Sequence, residues 1–190
     1  MTKYIALLRA INVGGNTILK MAVLKQMFES LGWENVQTYI QSGNVIFEAN
    51  EDDTALLEKR IASQIESGTG YKTQLFVRTI RDVQSIASKS PFTAEGDETV
   101  HITFLHGKPD KKQRQALMSF KSDADDFAVK GREVYNLRHD REKSVFSNNF
   151  IEKILKMPGT TRNMTVIKKM AEKYNQENLL RTQEIFLIVR

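Results

Sequence analysis

Three polar segments of this chain carry residue types suited to holding an anion. The first follows the apolar run Tyr4-Ile5-Ala6-Leu7-Leu8 and offers Arg9, then Asn12, Gly14, Gly15 and Asn16, then Lys20. The second is Gln41-Ser42-Gly43-Asn44, and the third is Thr160-Thr161-Arg162-Asn163. Arginine supplies a lasting cation with five donors, amides and hydroxyls both donate and accept, and glycine lets backbone N–H groups approach a ligand. Phosphates and carboxylates are the ligands such a set suits. The same residues have plain structural uses: the glycine pair makes a turn, Asn and Ser satisfy loop backbone, and each Arg pairs with a carboxylate. Arg162 is expected beside a helix N-terminus, capped by Asn163 or Thr161. A cation there is unfavourable unless an anion or an acidic side chain accompanies it.

Established motifs are not met. Gly14-Gly15-Asn16-Thr17 lacks the Lys-Ser/Thr ending of a P-loop, and an adjacent glycine pair is not the spaced triplet of a dinucleotide fingerprint. Residues 42–48 lack the mid-strand aromatics of an RNA-recognition sheet. His101 and His106, five apart, would face opposite sides of one strand and make no joint metal site. His139 reads as a solvated loop residue, and Asp123, Asp125 and Asp126 lack the spacing of a calcium loop. Ser42 has no G-x-S-x-G context. No metal and no cofactor is expected, and no catalytic residue stands out. A metal-free enzyme remains an alternative reading, with no general base near the polar segments to serve it.

The elements that must position these segments follow from periodicity. Residues 4–8 read as a buried strand; Leu24, Met27, Phe28 and Leu31 sit at helical spacing up to Gly32. Residues 36–40 and 45–47 read as strands about the 41–44 turn. Asp52 or Asp53 caps a helix carrying Leu57, Ile61 and Ile65, and 73–77 is a further strand. The order β-α-β-β-α-β indicates a ferredoxin-like split βαβ sandwich. After a connecting helix at 83–87 the order nearly repeats. A strand at 101–105 comes first, then a helix capped by Asp110 with Leu117 and Phe120. Strands at 127–129 and 133–137 follow, joined through Lys130-Gly131-Arg132. A helix at 150–155 ends at Pro158-Gly159, a helix runs over 166–174, and a last strand, or an arm onto a partner chain, spans 185–189. The fold class is therefore α+β: two tandem ferredoxin-like sandwiches with antiparallel sheets, at 1–80 and 90–190. The repeat is one of element order alone. In such a sandwich the right-handed crossover places the loop 9–20 beside the turn 41–44.

Of the 190 residues, 28 are Lys or Arg and 23 are Asp or Glu, giving a net charge of +5. Residues 1–80 are neutral, so the whole excess lies in the second half, most densely over 130–173. That bias serves solubility or a phosphate-bearing partner, and nucleic-acid binding by the basic second half is the runner-up to a small anionic ligand. No apolar run approaches membrane-spanning length, the start has no signal-peptide pattern, and the absence of Cys fits the reducing cytoplasm. No membrane partner is expected.

Tyr4 to Gly15, Tyr39 to Phe47 and Thr161-Arg162-Asn163 together resemble the signature segments of a mostly bacterial family, the domain of unknown function 1697. The chain carries Ala10 and Met164 where that family more often has Gly and Trp. The resemblance implies two ferredoxin-like halves in a soluble protein and brings no activity with it.

Overall fold

The computed structural model describes residues 1–9, 19–39 and 43–174. The first half comprises β1 (Thr2–Leu8), α1 (Met21–Glu29), β2 (Glu34–Tyr39), β3 (Asn44–Ala49), α2 (Thr54–Thr69) and β4 (Leu75–Thr79), followed at once by α3 (Ile80–Ser88). The second comprises β5 (Thr99–Leu105), α4 (Lys111–Met118), β6 (Asp125–Lys130), β7 (Glu133–Arg138), α5 (Asn148–Leu155) and β8 (Gly159–Asn163). A sixth helix, α6 (164–174), follows β8 directly. The four-stranded sheets run β2-β3-β1-β4 and β6-β7-β5-β8, and every pairing within them is antiparallel. The expected strand at 185–189 lies outside the described residues.

Strand alternation divides each sheet between two cores. From β1, Tyr4, Ala6 and Leu8 pack with α1 and α2, where Trp33 stacks on Phe47 at 4.5 Å between centroids. Ile5 and Leu7, one residue out of phase, face the other way. There they meet Ile102 and Phe104 of β5 and Tyr135 and Leu137 of β7, together with apolar residues of α3 and α6. The central core is thus drawn from both halves, with a sheet from each on its two sides. The outer face of the second sheet packs on α4 and α5 through Leu105, Leu117, Phe127, Val134 and Ile151. A strand covered on both faces reads as a continuous apolar run, which is why Tyr4–Leu8 is legible in the sequence.

The helix ends follow local chemistry. Asp53, rather than Asp52, caps α2 by accepting from the N–H groups of Ala55 and Leu56, and Gly70 closes that helix at φ 74°. Asp110 caps α4 in a reciprocal arrangement with Gln113. The helix stops at Met118, so Phe120 lies beyond it, edge-on to Phe150 at 5.0 Å. Thr79 and Asp82 cap α3 with no intervening loop.

Two expectations need correction. Thr160-Thr161-Arg162-Asn163, expected as a polar segment between Pro158-Gly159 and a helix, belongs to β8, which pairs with β5 in the register Ile102↔Arg162. The segment GTTRN contains no aliphatic or aromatic side chain, so hydrophobic periodicity could not mark it. Its burial comes from close backbone approach instead: a Cβ on Gly159 would lie 2.8 Å from Thr103 Cγ2. The repeat, moreover, is not one of element order alone. Arg78 of β4 stands opposite Ile5, and Arg162 of β8 stands opposite Ile102, at matching places in the two sheets.

Candidate functional site

The described ends of the first polar edge meet as the crossover argument requires. The Leu8 N–H donates to the Gly43 carbonyl at 2.8 Å, and Leu7 lies opposite Asn44 in the β1–β3 register. Arg9 follows β1, and its guanidinium pairs with Glu152 of α5 at 2.6 Å. Lys20 is the exposed residue preceding α1 and offers no side-chain cap. Asn12, Gly14, Gly15, Asn16, Gln41 and Ser42 lie outside the described residues.

Arg162 is brought to this edge from below. It projects from β8 into the joint between the halves and is 9% exposed. Its Nε donates to Asn44 Oδ1 at 2.7 Å, and its Nη2 donates to the Leu8 carbonyl at 2.8 Å. Nη1 donates to Thr160 Oγ1 and to the Thr161 carbonyl, both at 2.9 Å. Burial pushes the Arg162 pKa down to about 10, which leaves it protonated at neutral pH. Asn44, itself fully buried, donates through Nδ2 to the Tyr39 carbonyl. Asn163 does act as the cap of α6, its Oδ1 accepting from Thr165 N–H at 2.8 Å. Thr161 instead shares a hydrogen bond with Thr103 and donates to Asn148.

Arg78 repeats this arrangement at the other end of the joint, and sequence reasoning missed it. Its Nη2 donates to the Leu105 carbonyl at 2.7 Å, its Nη1 to the Val77 carbonyl at 2.9 Å, and its Nε to Glu133 Oε1 at 2.8 Å. Burial lowers the pKa of the guanidinium from its ordinary value, and the Glu133 carboxylate opposes that shift. One signal was available: Arg78 is the lone charge in the strand run Leu75–Thr79 and falls on the same face as buried Phe76.

The histidines lie apart. His106 stacks on Phe76 at 4.2 Å and contacts the Leu75 carbonyl. His139 bridges Glu98 and Asp126, and the Glu98 hydrogen bond raises its pKa. His101 packs against Phe146, and burial together with nearby Arg138 pushes its pKa down to about 4. Among the described residues no group of three His, Asp or Glu is placed to hold a metal ion. No helix among them is long and apolar enough to cross a membrane.

The edge where β1, Gly43-Asn44 and β8 meet falls within segments that are distinctive in the sequence, and residues 1–135 match DUF1697, a family of proteins of unknown function. The chain belongs to the DUF1697 family. A search of curated proteins finds no match. Among solved structures, the conserved bacterial protein SP0830 from Streptococcus pneumoniae is similar, with a TM-score of 0.71 and 22% identity. The alignment covers 90% of this chain and 97% of that one. At that identity the likeness speaks for the fold, so DUF1697 membership leaves the chemistry to be argued from the residues.

Proposed function

We propose that this chain is a binding module for a small phosphate- or carboxylate-bearing molecule. The ligand is taken up where 9–20, the turn 41–44 and the end of β8 converge. The two halves act as ferredoxin-like sandwiches, at 1–80 and 90–190, that close on each other through the central core. Support for that topology comes from the twofold occurrence of the β-α-β-β-α-β order with matching strand orders.

The observation that carries the reading is the Arg162 guanidinium beneath this edge. It is buried, protonated at neutral pH, and held among the described residues by the oxygens of Asn44, Thr160, Thr161 and Leu8. A charge held in a low-dielectric joint projects its field into the adjoining surface more strongly than one in water. Lys20 at the start of α1 adds to the same field, as does the positive end of that helix. Arg9 is engaged by Glu152, so an incoming anion competes with that carboxylate for it.

The test is calorimetric titration of the full chain with inorganic phosphate and with citrate, repeated on Lys20→Glu and Ser42→Asp. Binding of at least one anion, weakened about tenfold or more in both variants, is the expected result. Equal affinity in wild type and both variants, or no binding of either anion, overturns it.

A further inference from the structure

A cleft of about 330 Å³ opens at the opposite end of the joint, between α3 and the β6–β7 hairpin. Arg78, Lys89, Lys108, Lys130 and Arg132 line it, against the two carboxylates of Asp82 and Glu133. Both carboxylates are already engaged: Glu133 accepts from Arg78, and Asp82 accepts from the Thr79 N–H in the cap of α3. Lys130 Nζ donates to the Lys89 carbonyl at 2.8 Å, which ties the hairpin to the end of α3. Lys89, Lys108 and Arg132 make no ion pair with the described residues. Arg132 lies near enough to Arg78 for their like charges to repel. Gly131 has φ +62° at the first of the two turn residues, where a type II′ hairpin reserves glycine. The tight turn keeps Lys130 and Arg132 both at the rim.

We propose that this cleft is a second anion site, distinct from the edge at 9–20 and 41–44, and that it takes the diphosphate group of a small molecule. Concentrating cations around a concave, partly enclosed space costs repulsion that a bound anion relieves. A void of this size exceeds what one phosphate fills and lies at the lower end of small-ligand pockets. The cations reach it from several directions: β4, the end of α3, the loop after β5 and the hairpin. A diphosphate has two charged groups to meet them. Buried Arg78, 1% exposed and held by Glu133 and the Leu105 carbonyl, fixes one wall of the site. Lys89 and Lys108 are exposed and free to close on the ligand.

The test uses inorganic pyrophosphate as the probe on the full chain, with amide chemical-shift mapping to locate it. The variants are the double substitution Lys89→Gln, Lys108→Gln and, as a control, Ser42→Asp. Expected are shifts centred on Gly107, Lys108 and residues 130–132, and affinity that falls with added salt. The double variant should weaken the pyrophosphate that shifts Lys108 and residues 130–132 about tenfold or more, and in Ser42→Asp the titration followed at those same residues should be unchanged. Unchanged affinity in the double variant, or no shifts at 108 and 130–132, overturns the proposal. Pyrophosphate binding lost in Ser42→Asp but kept in the double variant also overturns it, and places the anion at the first edge. A short single-stranded RNA that binds more tightly than pyrophosphate, with shifts spreading to Lys111, Lys112 and Arg114, overturns it in favour of nucleic acid.

Discussion

Arg78 and Arg162 make the same connection in opposite directions. Each projects from the fourth strand of its own sheet and donates to the carbonyl ending the first strand of the other, Leu105 in one case and Leu8 in the other. Each also bonds the carbonyl of the residue before it. Each places Nε on the residue that opens the third strand of the opposite sheet: Glu133 for Arg78 and Asn44 for Arg162. The halves are therefore joined by two reciprocal ties at the two ends of one shared apolar core. The ties differ in chemistry, since one Nε partner is a carboxylate and the other an amide.

That difference predicts unequal costs on truncation. Arg78→Met strands the Glu133 carboxylate, whose side chain is 13% exposed, along with the Leu105 carbonyl. Breaking such a pair costs about 3–5 kcal/mol. Among the described residues, Arg162→Met strands neutral acceptors, the Leu8 carbonyl and Asn44 Oδ1, at a cost of about 1–3 kcal/mol. Urea denaturation measures both. Adding Glu133→Gln should restore about 1–2 kcal/mol to Arg78→Met, because the stranded charge is gone. Equal losses in the two single variants, with no recovery in the double, would show that the carboxylate contributes nothing special.

A smaller loss is expected at the start of α6. Asn163→Ala removes the acceptor for Thr165 N–H and should cost about 1 kcal/mol, read as a shift in denaturation midpoint. Asn163→Asp keeps an acceptor there and adds a negative charge at a helix N-terminus, so it should hold or raise stability.

These residues also show what the sequence reveals. Asn163 is legible as a cap because capping is local: a short polar side chain one step before an apolar helical pattern suffices. Arg162 is legible only as a polar oddity, because its partners Leu8 and Asn44 lie more than a hundred residues away. β8 is hidden for a related reason. Strands announce themselves through apolar alternation, whereas GTTRN is held by polar contacts and by a glycine packed against Thr103. The cleft at Lys89, Lys108 and Arg132 gathers residues from four elements, none carrying a motif by itself. The loop–turn junction at Leu8 and Gly43 was accessible because crossover handedness is a topological rule, which constrains distant segments without knowledge of their contacts.

Two histidines should give the stability profile opposite slopes. His101 is held neutral in the fold, with a pKa pushed down to about 4 by burial and Arg138. The unfolded chain takes up that proton near pH 6.5 and the folded chain does not, so stability falls as pH drops from about 6.5 toward 4. The upper bound on the loss is about 3–4 kcal/mol at 1.36 kcal/mol per unit, and solvent screening of the partly exposed ring makes it smaller. His139 is the reverse case: hydrogen bonds to Glu98 and Asp126 raise its pKa. Its contribution is complete below about pH 6.5 and is lost as pH rises through the folded value. Denaturation midpoints across this range should lose their acid slope in His101→Gln and their neutral-range decline in His139→Gln. A wild-type slope that survives both substitutions would assign it to other groups.

Glycine-to-alanine changes at positions 159 and 68 should have opposite signs, although an added Cβ meets an atom within 3 Å in both. At Gly159 it would lie 2.8 Å from Thr103 Cγ2, 3.1 Å from Leu105 Cδ2 and 3.2 Å from the Phe104 carbonyl. Two of those atoms belong to buried side chains and the third to backbone, so β8 must move away from β5. Overpacking of this kind costs about 1–3 kcal/mol. At Gly68, within α2, the near atom is Met27 Cε at 2.7 Å, the free end of a flexible side chain that rotates aside. Alanine in place of glycine inside a helix gains about 0.5–1 kcal/mol in backbone entropy, which exceeds the cost of turning one methionine. Gly68→Ala should therefore raise the melting temperature slightly, and Gly159→Ala should lower it by several degrees. Because Gly159 lies on the strand that carries Arg162, the second variant should also weaken any anion bound at the first edge. Retained affinity at full site occupancy would show that the Arg162 tie tolerates a shifted β8.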